Sequence, residues 1–281
     1  MVLVTQFQKN VLMNKLKIYC LALNNSNYDT IKSLGYLPVG LKNNDFSDGW
    51  LRDNSGQNIS AKNPFYGEYT FHYWLWKNQL NKIENNTWIG FCTYRRFWSN
   101  KNFESEDFRE KILKNIPVEW EKYDVILANK IDLTNIKWIK VLKYGKKAFL
   151  NNPKSIFKKY RNIKFQFELN HGVGSLDKAI ELLCEENKED FKRFTLENTS
   201  FNQCNMFLCR SKMILENYYK TIFDWLEKCE SEFGFNHQSY GKIRIYGFLA
   251  ERFMPYWFRK NSNFLEWPIV YYDIGKLDEK I

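Results

Sequence analysis

Two adjacent arginines, Arg95 and Arg96, follow the apolar run Thr87–Phe91 by way of Cys92, Thr93 and Tyr94. The pattern places them at the carboxyl end of a buried strand, the end at which α/β sheets receive ligands. Guanidinium groups stay charged and grip phosphate oxygens through paired hydrogen bonds, so Arg95 or Arg96, with Tyr94 beside them, is a candidate clamp for a diphosphate. Either arginine could instead pair with a carboxylate such as Asp53 or Glu68. No Asp-x-Asp pair able to hold a divalent cation follows that strand, so chemistry with no metal and no required cofactor is expected. The alternative is Mn2+ or Mg2+ on carboxylates, with Asp45, Asp48, Glu104 and Glu106 the first to consider.

The polar stretch Asp53–Asn63 supplies amides, a hydroxyl and an ammonium group through Asn58, Ser60, Lys62 and Asn63. Those groups suit a loop that closes over ribose, sugar hydroxyls and phosphate, and equally a loop pinned by its own Asx turns. Asp53 and Glu251 are candidate general bases for an acceptor hydroxyl, unless Arg52, Arg244 or Arg252 holds them in salt bridges. Glu68 stands at a helix start, where it would contact substrate or stabilise exposed N–H groups. His171, in the turn-like Asn170-His171-Gly172, is a candidate for acceptor or phosphate; His72 and His237 show no partner in the sequence.

These residues need elements to position them. Leu16–Leu23 reads as a buried first strand, and residues 35–63 as a long irregular segment of the length that usually serves function. Pro64–Asn78 reads as one buried helix with Tyr69, Tyr73, Trp74 and Trp76 facing inward as core rather than as a sugar platform. Tyr123–Ala128, Asn205–Cys209 and Trp267–Tyr272 read as strands. Helices are predicted after a Ser175 cap, over Lys212–Glu230 and over Tyr246–Arg259. Strands and helices alternate, which argues for an α/β fold with a mainly parallel sheet flanked by helices.

The 281 residues are 44% apolar and 18% aromatic, enough to fill the core of one compact unit. Lys and Arg occur along the whole length with acidic residues interleaved, so no basic arm stands out within the net charge of +10. That balance favours an anionic partner such as a nucleotide diphosphate, a nucleic acid or a phospholipid surface. No helix-turn-helix, RNA-recognition or zinc pattern appears, so nucleic acid is the weaker expectation. Six cysteines without metal spacing read as reduced thiols. No run of eighteen apolar residues occurs and the first residues lack a signal-peptide pattern, so a cytoplasmic protein is expected. Peripheral association at the inner face of the cytoplasmic membrane stays open.

Four pieces of the chain, in order, resemble the bacterial family catalogued as DUF4422. They are Asp53-Asn54-Ser55-Gly56-Gln57-Asn58-Ile59-Ser60-Ala61-Lys62-Asn63 running on to Tyr66, Glu68 and Tyr73-Trp74-x-Trp76-Lys77-Asn78; Gly90 to Phe97 with its Tyr94-Arg95-Arg96; Asn205-Met206-Phe207; and Arg244 to Arg252. Gln57 stands where the family pattern has Asp, and Thr93 where it has His, which removes a charge and an imidazole from those positions. The family occurs in capsular and exopolysaccharide clusters and is regarded as glycosyltransferases. The resemblance implies a GT-A-like (Rossmann-like) single unit, with residues 1–130 as the nucleotide-sugar half and 131–281 as the acceptor half. It implies transfer from a nucleotide diphosphate donor, UDP by analogy, to an oligosaccharide or lipid-linked acceptor of a capsular or surface polysaccharide. It makes Asn205, Arg244 and Glu68 candidate sugar or acceptor contacts. A nucleic-acid-binding protein and a non-catalytic carbohydrate-binding component of an assembly complex are the alternatives.

Overall fold

The computed structural model describes residues 15–42, 45–101, 106–135, 146–236 and 240–276. Its strands are β1 (Leu16–Ala22), β2 (Leu37–Gly40), β3 (Leu51–Arg52), β4 (Trp88–Thr93), β5 (Arg96–Trp98), β6 (Val125–Ala128), β7 (Lys130–Asp132), β8 (Ser200–Asn202), β9 (Phe207–Cys209), β10 (Phe264–Trp267) and β11 (Ile269–Tyr271). The main sheet runs β10-β6-β9-β4-β1-β2-β3. Neighbours β1 and β2, β1 and β4, β2 and β3, and β6 and β10 are parallel. Only β9 reverses within this path, antiparallel to both β4 and β6. Beside it β5 folds back from β4 and pairs antiparallel with β11, while β7 and β8 form a separate ribbon.

The central strands are apolar on both sides because helices and loops cover both faces. Alternation along β1 sends Tyr19 and Leu21 to one face, against the helices Tyr69–Asn78, Lys212–Phe233 and Ile245–Asn261. Ile18, Cys20 and Ala22 go to the other, with Trp88, Trp98, Trp120 and Trp267. The chain leaves β1 toward β2 on one side and returns as β4 on the other, so the crevice between β1 and β4 is the topological switch point.

Several predicted elements take a different form. The helix over Pro64–Asn78 is two helices, Asn63–Tyr66 and Tyr69–Asn78, because Gly67 sits at φ 59° between them. The irregular segment of residues 35–63 contains β2 and β3, and Trp267–Tyr272 is the end of β10 and all of β11, separated at Pro268. A two-residue strand has no visible period, and proline cannot donate to a continuous ladder. Gly174, not Ser175, caps its helix; the Ser175 hydroxyl donates to Gly172 O at 2.7 Å. Tyr69 and Trp74 are buried as predicted, whereas Tyr73 and Trp76 stay partly exposed. All six cysteines are free. No helix among the described residues is long and apolar enough to cross a membrane.

Candidate functional site

The β4–β9 register, with Gly90 opposite Leu208, carries Cys204 and Asn205 to the end of β4 beside Thr93 and Tyr94. Arg52 and Asp53 leave β3 on the same edge. Here the fold removes polar atoms from water without giving them partners. Arg52 Nε, both carboxylate oxygens of Asp53, Thr93 Oγ1, Arg96 Nε, Asn205 Oδ1 and Arg252 Nε are all buried and unbonded. Each such atom costs about 1–3 kcal/mol, and native proteins tolerate them where a ligand completes the bonding. Asp53 has no exposed surface, and burial raises its pKa above the usual carboxylate value against the opposing influence of Thr70 and Arg52. Thr70 lies close to the carboxylate, but its hydroxyl already donates to Gly67 O at 3.1 Å.

Cys204 and Asn205 adopt φ 75° and 50°, conformations that residues with side chains enter at a cost of about 1–2 kcal/mol each. Two carboxylates hold this turn. Cys204 N donates to Glu251 Oε1 at 2.7 Å, and Asn205 Nδ2 donates to Glu68 Oε1 at 2.9 Å and to Gly247 O at 3.3 Å. The far oxygen of Glu68 pairs with Arg244 at 3.0 Å, and that of Glu251 with Arg252. Arg252 is 2% exposed and reaches on to Gln166 Oε1 at 2.6 Å. The helix-start residue Glu68 therefore makes no side-chain cap; it positions Asn205. Burial pushes the Cys204 thiol up to about 12.

The two arginines diverge. Arg95 pairs with Asp273 at 3.1 Å and lies over the Tyr94 ring, so its carboxylate partner is neither Asp53 nor Glu68. Arg96 pairs with no carboxylate among the described residues; its guanidinium carbon lies 5.8 Å from the centre of the Tyr271 ring. Tyr271 also receives a hydrogen bond from Gln203 on the strained turn.

The loop of residues 53–63 spends many of its polar groups on itself. Asn58 Oδ1 accepts from Ser60 N and Ser60 Oγ at 3.2 and 2.9 Å, an Asx turn. Lys62 grips both oxygens of Glu230 at 2.7 and 2.8 Å, and Asn63 donates to Gly67 O and Thr70 Oγ1. Asn78 binds Gln57 through its backbone N–H and C=O, and Trp74 Nε1 donates to Ser55 Oγ. His171 is buried, bonded through Nδ1 to Gly241 O at 2.8 Å and stacked on Phe248, and burial beside Arg252 lowers its pKa to about 3. His72 is likewise a core residue, held at about 3 by burial and bonded to Tyr219. His237 lies outside the described residues.

The structure thus brings together Arg95, Arg96, Tyr94, Asn205, Glu68, Arg244 and Glu251, leaves Asp53 at the end of β3 beside Thr70 and Arg52, and ties Asn58, Ser60, Lys62 and His171 into neighbouring scaffolding. Neither proposed base offers a free carboxylate to solvent: Asp53 is fully buried, and both oxygens of Glu251 are engaged. Reading the sequence missed Arg52 as a site group, the left-handed Cys204 and the Asp273 anchor. Of these only Arg52 carried a signal, a cation just before the polar loop. No group of three or more His, Cys, Asp or Glu side chains able to hold a metal ion occurs among the described residues. Asp45, Asp48 and Glu106 are exposed, and Glu104 lies outside the described residues.

A family model described as a domain of unknown function (DUF4422) matches residues 17–262. Among curated proteins none matches. The apo structure of WbbM, described as a bifunctional glycosyltransferase, is similar with a TM-score of 0.59 and 21% identity. The match covers 92% of this chain and 45% of that one, so this chain spans less than half of that protein's length. At this identity the likeness is one of fold.

Proposed function

We propose that the chain, which belongs to the family described as a domain of unknown function (DUF4422) and shares its fold with a protein described as a bifunctional glycosyltransferase, is a glycosyltransferase acting at the sheet edge between β1, β4 and β9. It moves a sugar from a nucleotide diphosphate donor, UDP-linked, to an oligosaccharide or lipid-linked acceptor of a growing capsular or surface polysaccharide. The observation that carries this reading is the set of buried, unbonded polar atoms on Thr93, Arg96 and Asn205 at a strained turn, with those of Arg52 and Asp53 further along the same sheet edge at the end of β3. Such a set is expensive in the free protein and is explained by a ligand rich in hydroxyls and phosphate.

In this reading Arg96, helped by Arg95 and Tyr94, takes the diphosphate and stabilises the negative charge that grows as the glycosidic bond breaks. Asn205 Oδ1 accepts from a sugar hydroxyl, and Glu68 with Arg244 keeps it in place. Glu251 acts as a base only if substrate displaces Arg252, which holds one of its two oxygens while Cys204 N holds the other; otherwise it orients the Cys204 turn. Asp53, with its raised pKa, is the second candidate. The loop of Asn58, Ser60, Lys62 and Asn63 shapes the donor side, and His171 supports the acceptor side through Arg252. Residues 1–130 carry the donor groups and residues 131–281 the acceptor groups, with Asn205 and Glu251 reaching across.

The test is a thermal-shift panel of UDP, other nucleotides and nucleotide sugars, with and without Mn2+. A donor at a hundredfold its Kd stabilises the folded protein by about 2.7 kcal/mol. A shift with free sugar and none with any nucleotide would replace the transferase by a non-catalytic carbohydrate-binding protein.

A further inference from the structure

The positive charge of the chain is not spread as the interleaving of Lys and Asp suggests. Residues 133–167 contain ten Lys and Arg and no Asp or Glu, which equals the formal net charge of +10, so the remaining residues balance. Within this stretch the described residues from Lys146 onward form a short helix, Lys146–Asn151, and two single turns, Pro153–Ile156 and Lys158–Tyr160. Lys146, Lys147, Lys154, Lys158 and Lys159 are all exposed and make no ion pair among the described residues. Between them Leu150, Ile156 and Phe157 are 76%, 55% and 62% exposed.

This exposure is built in rather than left over from poor packing. Ala148 packs on Phe165 of the helix Ile163–His171, and Asn151 donates to Glu168 at 3.2 Å. Arg161, 5% exposed, donates to the carbonyls of Ser155 at 3.0 Å, Ile156 at 3.2 Å and Thr134 at 2.5 Å. The buried arginine therefore fixes the turn that turns Ile156 and Phe157 outward. Exposed apolar side chains interleaved with exposed lysines, with Asp132 the carboxylate that acts on Lys158, match the boundary of an anionic bilayer, where ammonium groups meet lipid phosphates and apolar groups enter the acyl region.

We propose that this face, Leu150, Ile156 and Phe157 with the surrounding lysines, docks the protein on an anionic phospholipid surface. The lysines and Phe157 would also suit a single-stranded nucleic acid, but the exposed aliphatic side chains Leu150 and Ile156 match an acyl region and have no counterpart in a phosphate backbone. The inference goes beyond the catalytic reading and stands without it. Gln166 on the supporting helix binds Arg252, which holds Glu251, so docking would also bring the sheet edge near the lipid plane.

Flotation of the full chain with phosphatidylcholine vesicles, with and without one-third phosphatidylglycerol, tests it. We expect binding to the anionic vesicles only, weakening as salt is raised. The variant Leu150→Ser/Ile156→Ser/Phe157→Ser and the variant Lys154→Glu/Lys158→Glu/Lys159→Glu should each lower binding at least about tenfold with unchanged circular dichroism. Absence of binding to anionic vesicles at low salt overturns the proposal. So does binding that the apolar variant leaves intact, and if that variant also retains full affinity for single-stranded RNA the face belongs to nucleic acid.

Discussion

At the edge where β4 meets β9, Arg96 has no carboxylate partner among the described residues while Arg95 is held by Asp273. This division of labour predicts unequal mutants. Arg96→Ala should lose about 10²-fold or more of the transfer rate if it is the main phosphate ligand, and Arg95→Ala less. Arg96→Lys should recover part, since it keeps the charge and loses the fork. EDTA should leave transfer intact; a loss that Mn2+ restores would give the phosphates to a metal instead. Glu251 presents a sharper choice. As a base, Glu251→Gln should lower kcat by about 10²–10⁴-fold. As an orienting group, Glu251→Gln should cost stability rather than turnover, because its single oxygen can serve Cys204 N or the buried Arg252 but not both.

The two short helices around Gly67 form the element on which the sugar side of the site rests. Gly67 has φ 59°, and a Cβ added there would stand 2.1 Å from Arg244 Nη2. Gly67→Ala should therefore destabilise the protein by about 1–2 kcal/mol through the backbone alone. It should also push Arg244 off Glu68 and so loosen Asn205. Chemical denaturation together with donor titration measures both effects. If the coupling runs through this ion pair, Gly67→Ala made in an Arg244→Ala background should lose its additional effect on donor affinity and keep only the strain, a non-additivity that a double-mutant cycle reads directly.

For the molecule as a whole, two buried imidazoles set a pH limit. His72 lies in the core against Phe91 at 4.1 Å, with a pKa lowered by burial from 6.5 to about 3, and His171 is shifted alike. The folded state then binds fewer protons than the unfolded chain below pH 6.5. Stability is fully present above that value and is lost as pH falls toward 3. At pH 5 each histidine should remove about 2 kcal/mol. In His72→Phe the loss of stability between pH 7 and pH 5 should shrink by that amount, even though the stranded Tyr219 hydroxyl lowers stability at every pH. An unchanged slope in thermal unfolding would mean that the imidazole protonates in place.

Much of this architecture is legible in the chain itself. Leu16–Ala22 and Trp88–Thr93 are apolar runs of strand length, Lys212–Phe233 keeps a helical period over many turns, and Arg95-Arg96 directly follows one of the strands. Local composition and spacing determine such features, and they sufficed for an α/β fold, a mainly parallel sheet and a basic strand end. The reversal of β9, the pairing of Arg95 with Asp273, the binding of Asn205 by Glu68 and the sealing of Asp53 from water are different in kind. Glu68 and Asn205 stand 137 residues apart, and no period or motif records which distant groups share an edge. Cys204 likewise shows nothing in its neighbours of the left-handed turn that Glu251 imposes across 47 residues. Long-range packing alone decides which carboxylate finds which cation, and which polar atoms are left for a ligand.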